Sequence, residues 1–260
     1  MTSLAKRLWE SRRDGTNVIV AENETPKTIE EAIAIQQAAI KFSGMPSIGF
    51  KVGSTSAEAQ KVLGTTEPSA SPLLSDFFYT SPAAVPIVEA HGPAVEGEFA
   101  LRIKKDLPPR DTEYSFEEAL EALDSVAAAI EVVGSRLAGG LVSKGRLLTT
   151  MDFGANIALA IGKFSANWKH FDLAAHEVIL SVNDTLRERG TGARALGHPI
   201  KVLQWLANTQ SQTGRGLLRG EIISTGTCTG LIDVSPGDRV VADFGDLGSV
   251  EINFTAMEIP

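Results

Sequence analysis

Two glutamates stand one residue apart in the run Val95-Glu-Gly-Glu-Phe-Ala-Leu-Arg-Ile103, and a third interrupts the apolar run Val126-Ala-Ala-Ala-Ile-Glu-Val-Val133. In a strand, side chains alternate faces, so Glu96 and Glu98 share one face with Ala100 and Arg102. Val95, Phe99, Leu101 and Ile103 take the other face and are expected in the core. Glu131 has apolar neighbours on both faces, where an unpaired carboxylate costs several kcal/mol or shifts its pKa. An ion pair with Arg136 would meet that cost structurally, and Glu96 and Glu98 alone would fit a solvated strand face. One reading uses all three acids: Glu96, Glu98 and Glu131 converge on a single hard divalent cation. Three carboxylate oxygens leave open positions in an octahedral shell, which suits Mg²⁺ or Mn²⁺ rather than Zn²⁺. Those positions are where a chelating substrate would bind.

A lysine supplies the second signal. In Ile48-Gly-Phe-Lys-Val-Gly53, period two turns Ile48, Phe50 and Val52 inward and puts Gly49, Lys51 and Gly53 on the other face. The flanking glycines weaken the strand but let a ligand approach the ammonium closely. A lone strand lysine is ordinarily solvated; beside a carboxylate–metal site, Lys51 becomes a candidate acid/base or counter-ion for an enolate.

These residues need elements to hold them. Helix signals dominate the first part: a start near Thr2 or Ser3 with a stop at Gly15, and a capping box Thr28/Glu31 opening a helix that ends at Gly44. Ser56 and Gly64 bracket a short helix, and a Ser/Pro/Thr-rich loop follows from about Thr65 to Pro72. Strands are expected at Val95–Ile103, Val126–Val133, Asn156–Ile161, Val178–Val182, Glu221–Ser224, Arg239–Phe244 and Ser249–Phe254. Two helices interrupt them, one opened by Ser115/Glu118 and one running from Pro199 to Asn208. Strand and helix do not alternate regularly, so a doubly wound nucleotide fold is not expected. The expectation is α+β: a helical portion over residues 1–75 that includes the Lys51 strand, then a β-rich metal-binding catalytic domain over 76–260.

Composition narrows the functions. The 260 residues carry 24 Lys+Arg against 32 Asp+Glu, a formal charge of −8 with no basic run, which argues against nucleic acid and anionic membrane surfaces. With 43% hydrophobic residues the chain is expected to be globular and soluble. One Cys cannot form an internal disulfide, and four His with that Cys are too few for a Cys-rich zinc or iron–sulfur site. No segment approaches the ~20 apolar residues that span a bilayer, and the N-terminus has no secretory h-region. A cytoplasmic protein and a homo-oligomer are expected.

Several motifs stand in order over roughly residues 28–254. They are Ile48-Gly-Phe-Lys-Val-Gly-Ser-Thr-Ser56, Val62-Leu-Gly-Thr-Thr-Glu-Pro68, Val95-Glu-Gly-Glu98, Ile130-Glu-Val-Val-Gly-Ser-Arg136, Leu196-Gly-His-Pro199, Ser235-Pro-Gly-Asp238 and Leu247-Gly-Ser-Val250. Together they resemble the 2-keto-4-pentenoate hydratase family, which includes 4-oxalocrotonate decarboxylases and belongs to the fumarylacetoacetate hydrolase superfamily. The resemblance implies a mixed β-sandwich roll with a helical N-terminal part, and Mg²⁺ or Mn²⁺ on Glu96, Glu98 and Glu131. It also implies catalysis by Lys51, with an acid matching Asp76 nearby. The chain departs from the family in four places. Pro93-Ala-Val-Glu-Gly-Glu98 has Ala94 where hydratases commonly carry Arg. Asp152-Phe-Gly-Ala155 stands for Asp-Asn-Ala-Ser, and Ser69-Ala70-Ser71 for Asp-aromatic-Gly. Ser224-Thr-Gly-Thr-Cys-Thr-Gly230 is closer to the hydrolase branch.

Other motifs carry less. Gly190-Thr-Gly-Ala-Arg-Ala-Leu-Gly197 lacks the Gly-Lys-Ser/Thr ending of a phosphate loop. His198 reads as a helix-entry residue, His91 as a loop residue five positions before Glu96, and Cys228 has no triad partner. Gly53, Thr227 and Arg136 are the expected substrate contacts. A 2-oxo acid would chelate the cation through its carboxylate and carbonyl, and Lewis-acid pull would stabilise an enolate. Hydration of a 2-hydroxydienoate, as in breakdown of aromatic ring-cleavage products, is the expected reaction, with Lys51 as proton donor or enolate partner and Asp76 orienting it. Decarboxylation of a 4-oxalocrotonate type, C–C hydrolysis of an acylpyruvate, and non-catalytic binding of a 2-oxo acid are the alternatives. The N-terminal portion lacks the His–Glu pair with which the superfamily's hydrolases activate water.

Overall fold

The computed structural model describes residues 3–141 and 144–258. In chain order its regular elements are helices α1 (Leu4–Asp14) and α2 (Ile29–Ser43), strand β1 (Ser47–Gly53), helix α3 (Ala57–Leu63), and strands β2 (Ser69–Leu74), β3 (Phe78–Thr80), β4 (Ala83–Ile87) and β5 (Ala94–Ile103). Helix α4 (Phe116–Ala122), strand β6 (Leu123–Val133), helix α5 (Gly145–Met151) and strands β7 (Asn156–Ile161), β8 (Glu177–Val182) and β9 (Thr185–Thr191) follow. Helix α6 (Pro199–Gln212) and strands β10 (Ile222–Ser224), β11 (Ile232–Asp233), β12 (Arg239–Asp243) and β13 (Ser249–Ala256) complete the chain.

The strands form two sheets, one in the order β2-β1-β10-β5-β6-β7-β3 with β11 on β5, the other β4-β13-β12-β8-β9. Alternation explains why they stack. Val95, Phe99, Leu101 and Ile103 of β5 are at most 1% exposed. With Val126, Ala128, Ile130 and Val132 of β6 they meet Val178 and Leu180 of β8, Val240 and Ala242 of β12, and Val250 and Ile252 of β13 in one apolar core. This is the α+β sandwich expected from the sequence. The opposite face of the large sheet carries Glu96, Glu98 and Glu131, and the N-terminal helices cover part of it. Leu4, Leu8 and Trp9 of α1 and Ala32 and Ala39 of α2 bury themselves with Leu74, Met151 and Phe153. The boundary expected at residue 75 falls just after β2, so both β1 and β2 belong to the large sheet.

Helix ends follow the local chemistry. Ser3 caps α1 and Gly15 closes it in the left-handed region; Ser56 and Gly64 do the same for α3. Ser115 and Glu118 form a reciprocal capping box, whereas Thr28 accepts from Glu31 N while the Glu31 carboxylate turns to Lys27 N.

Some expectations change. The loop drawn over 65–72 becomes strand from Ser69 onward, because β2 pairs antiparallel with β1 although Ser-Ala-Ser-Pro shows no apolar alternation. A bulge between Ser47 and Gly49 turns Ile48 away from Phe50 and Val52 and onto the Leu73, Ala100 and Ala127 cluster. A further helix, α5, stands between β6 and β7, and strands β3, β4, β9 and β11 are additional. No helix among the described residues is long and apolar enough to cross a membrane.

Candidate metal centre

The β5–β6 register sets Glu96 directly opposite Glu131 and Glu98 opposite Ala129. One carboxylate oxygen from each of Glu96, Glu98 and Glu131 lies within 4.8 Å of the others. Glu98 and Glu131 are fully buried, and Glu96 is partly exposed. Like charges opposed across a ladder repel, and burial compounds the cost. Burial first, then the charge of Glu131, pushes Glu96 up to about 7, and the same two causes push Glu98 well above the usual carboxylate range.

The neighbouring cation is Lys51, 5% exposed, with Nζ 3.4 Å from Glu131 Oε2. Burial opposes its charge, but Glu131, Glu96 and Glu98 together outweigh burial and hold its pKa above the ordinary lysine value. Lys51 therefore stays an ammonium at neutral pH. One ammonium does not neutralise three carboxylates, so the metal-free cluster keeps a proton on Glu98 and in part on Glu96, which a bound cation would displace.

Hydrogen bonds fix half of each buried acid. Ser224 Oγ and Gly226 N (2.9 Å) both donate to Glu98 Oε2. Asn156 Nδ2 donates to Glu131 Oε1 at 2.9 Å. Glu98 Oε1 and Glu131 Oε2 are buried and accept no hydrogen bond. Leaving such an oxygen unmet costs about 1–3 kcal/mol or more for a charged group. Two unmet oxygens in an all-carboxylate set fit a hard divalent ion such as Mg²⁺ or Mn²⁺.

The segment from Ser224 to Gly230 wraps this cluster. Thr225 and Thr229 hydroxyls accept from Phe99 N and Gly97 N, which ties the loop to β5. The Thr227 hydroxyl accepts from Gly230 N (2.6 Å), and its proximity to Glu96 favours that carboxylate's charged form. Gly226 has φ +84°, and a Cβ there would lie 2.0 Å from Thr55 Oγ1, so both conformation and space require glycine. Beyond Thr55 lies an open cavity of about 560 Å³, bounded also by Glu58, Gln60, Arg194 and Leu196. Arg194 donates from that wall to Thr229 O at 2.7 Å.

On the Lys51 side, a Cβ on Gly53 would sit 3.1 Å from Lys51 Nζ and 3.5 Å from Ser69 Oγ, so Gly53 keeps open the space between these groups. Phe153, Gly154 and Ala155 form a left-handed turn, with φ of 54°, 64° and 64°. A Cβ on Gly154 would stand 2.3 Å from Ser71 Oγ and 3.5 Å from Lys51 Cδ, so this turn rests on the lysine stem. Backbone strain of this kind clusters at functional sites.

Two of the sequence-picked residues lie elsewhere. Arg136 does not reach Glu131: it is 1% exposed and pairs with Asp152 through Nε–Oδ1 at 2.7 Å, while its other nitrogens donate to Asn156 O and Asp152 O. Asp76 is exposed and accepts from Ser75 Oγ at 2.7 Å; the acid in contact with Lys51 is Glu131. His91 Nε2 bonds Thr16 O, His198 caps α6 through Nδ1, and burial pushes the Cys228 thiol far up. Ala94 and Ala155, two of the family departures, pack together with Val133 and Leu141.

Sequence reading passed over Ser224 and Asn156, although both fall in expected strands. It also passed over Arg12 and Gln36. Arg12 donates to Asn156 Oδ1 (3.0 Å), and Gln36 holds Ser71 Oγ (2.9 Å) and Thr150 O (2.6 Å). A polar residue inside an apolar strand or on a buried helix face was the available signal.

The family model for the fumarylacetoacetate (FAA) hydrolase C-terminal region matches residues 50–255. The chain belongs to the fumarylacetoacetate hydrolase family. Among curated relatives of this member, the 2-keto-4-pentenoate hydratase of Paraburkholderia xenovorans (strain LB400) is 30% identical, covering 98% of this chain and 95% of that protein. The 2-hydroxyhexa-2,4-dienoate hydratase of Comamonas testosteroni is 30% identical, with 96% of each covered. Among solved structures, the Pseudomonas putida G7 4-oxalocrotonate decarboxylase complexed with magnesium and adipate superposes with a TM-score of 0.86 at 24% identity, covering 96% of this chain and 95% of that one. The Pseudomonas aeruginosa fumarylpyruvate hydrolase in complex with Mn²⁺ and pyruvate gives 0.60 at 18% identity, covering 82% and 91%. These two likenesses establish the shared fold.

Proposed function

We propose that the protein is a divalent-metal-dependent hydratase that adds water to a 2-hydroxydienoate, or the related 2-oxo-alkenoate, in the breakdown of aromatic ring-cleavage products. The carrying observation is the buried trio Glu96, Glu98 and Glu131, with two unmet carboxylate oxygens and the Lys51 ammonium 3.4 Å from one of them. A hard cation held there supplies Lewis-acid stabilisation of negative charge on the substrate's 2-oxygen. The remaining work falls to the chain's own groups. Lys51 holds its proton at Nζ and serves as a donor to carbon rather than as a base. Glu131 orients that ammonium from its contact side. Thr227 and the backbone of the Ser224–Gly230 segment grip the substrate's oxygens, and Gly53 leaves room for it beside Lys51. The hydroxydienoate tautomerises, water adds to the distal carbon, and one further proton goes to the neighbouring carbon, so the sum gains one water.

Hydratase chemistry is favoured over decarboxylation by what lines the site. Arg136 is consumed by Asp152, and Ala94, Val133 and Ala155 form an apolar wall on the face that bears the acids. Of the further cations near the acids among the described residues, Arg12 is engaged with Asn156 and Ile157 O, and Arg194 with Thr229 O and Glu58. Hydrolysis is disfavoured because His91 and His198 are engaged elsewhere and His176 Nε2 bonds Phe244 O. The reading extends to a cytoplasmic homo-oligomer acting on a small molecule. Phe42, Val62, Leu218 and Leu231, each at least 50% exposed, support assembly, which sedimentation of the purified protein measures.

The deciding experiment assays 2-hydroxypenta-2,4-dienoate, 4-oxalocrotonate and an acylpyruvate side by side with Mg²⁺ or Mn²⁺. Turnover of the first with the highest kcat/KM is expected. Preferred release of CO₂ from 4-oxalocrotonate would make the protein a decarboxylase, and metal binding without turnover of any of the three would make it a binding protein.

A further inference from the structure

We propose that Asn156, itself held by Arg12 of α1, is a positioning residue that turns Glu131 so that its free oxygen faces the cation. The inference rests on reading the trio as a cation site.

The argument begins with what each group can donate. A guanidinium only donates, so Arg12 NH2 at 3.0 Å fixes the Asn156 oxygen on its own side. The amide nitrogen must then point the other way, where it donates to Glu131 Oε1 at 2.9 Å. With Oε1 occupied, Oε2 is the oxygen left, 3.4 Å from Lys51 Nζ and accepting no hydrogen bond. Without Arg12 the Asn156 amide could rotate by half a turn and present its oxygen to the carboxylate, a repulsive contact.

Arg12 is equally constrained. Its NH2 also donates to Ile157 O at 3.0 Å, and its guanidinium lies over the rings of Phe77 (4.0 Å) and Phe153 (4.7 Å). Arg12, Asn156 and Glu131 are 5%, 1% and 0% exposed, so water does not compete for these bonds. The Phe153 ring thus supplies one of the two faces that hold Arg12. Outer partners of this kind typically change metal affinity or activity 10–100-fold when removed.

The test is Mn²⁺ titration of the purified protein by calorimetry, with thermal unfolding of the metal-free form alongside. Asn156→Ala is expected to weaken Mn²⁺ binding about 10–100-fold, and Arg12→Lys to weaken it in the same direction by less. Lysine keeps the charge but cannot hold both acceptors and stack on both rings. Ser135→Ala is the control. Its hydroxyl donates to Asp152 in the neighbouring buried pair, so its loss should lower Tm and leave the Mn²⁺ Kd within about twofold. Folded Asn156→Ala with wild-type Mn²⁺ affinity would overturn the proposal, as would Ser135→Ala weakening Mn²⁺ as much as Asn156→Ala. Should Asn156→Ala fail to fold, Arg12→Lys decides: wild-type affinity in that folded variant overturns the proposal. Wild-type protein that binds no Mn²⁺ would overturn the cation site and this inference together, whereas unchanged variants of a Mn²⁺-binding protein overturn the inference alone.

Discussion

Two buried charge clusters lie close together in this molecule and are finished differently. Asp152 and Arg136 are each 1% exposed; Asp152 accepts from Ser135 Oγ, Arg136 N and Arg136 Nε, and the remaining guanidinium nitrogens reach carbonyls. In the glutamate trio Glu98 and Glu131 are as deep and Glu96 is partly exposed, yet there is one ammonium for three acids, and two buried oxygens accept no hydrogen bond. A buried charge whose every lone pair is met acts as a structural joint. A buried carboxylate with an oxygen to spare stays expensive until something arrives to use it.

The sharpest way to break this comparison is to neutralise the costly side. Glu98→Gln keeps an oxygen for Ser224 and Gly226 but removes a metal-ligand charge. It should lower kcat/KM by about 10³-fold or more, since a metal's Lewis-acid contribution is several kcal/mol. Unfolding of the metal-free variant should show no loss of Tm. A Tm drop comparable to that of a broken ion pair would place Glu98 on the structural side instead.

Lys51→Met comes next. Loss of a proton donor should reduce kcat about 10²–10⁴-fold, while calorimetry should show Mn²⁺ bound at least as tightly, because a competing cation has gone. The converse holds for the finished pair. Arg136→Met strands a buried Asp152 and should cost about 3–5 kcal/mol in denaturant unfolding, with the Mn²⁺ affinity of the remaining folded protein within a fewfold of wild type.

The smallest effect is on pH. Glu96 rises from 4.5 to about 7 in the folded, metal-free protein, so the fold binds a proton there that the unfolded chain has lost. That contribution is fully present below about pH 4.5 and disappears as pH rises through about 7. Metal-free protein should therefore lose about 1–3 kcal/mol over that window, the lower figure reflecting the partial exposure of Glu96. Saturating Mg²⁺ should flatten the slope.

The trio was legible because its signal is local. Glu96 and Glu98 are i and i+2 in a strand with an apolar opposite face, and Glu131 breaks an apolar run. Lys51 was legible through its glycines. The hydrogen-bond partners were not, because they come from far along the chain: Ser224 is 126 residues from Glu98, and Arg12 is 144 from Asn156. Arg136 and Asp76 were chosen by proximity in sequence or by resemblance. In space, one found a better-placed acid in Asp152, and the other lies exposed with Ser75 as its partner. The β2 strand escaped notice since pairing with β1, and not its own side-chain pattern, gives it that shape.

Helix α1 lies wholly before residue 50, where the family match begins, and so does Gln36 of α2, which holds Ser71 beside Lys51. A graft that moved only the matched stretch onto another N-terminus would carry every acid of the centre and leave behind the arginine that steadies one of them. Exchange between relatives should thus succeed when both parts travel together and disappoint when they are cut at the family boundary. The unit of inheritance here is larger than the unit of recognisable sequence.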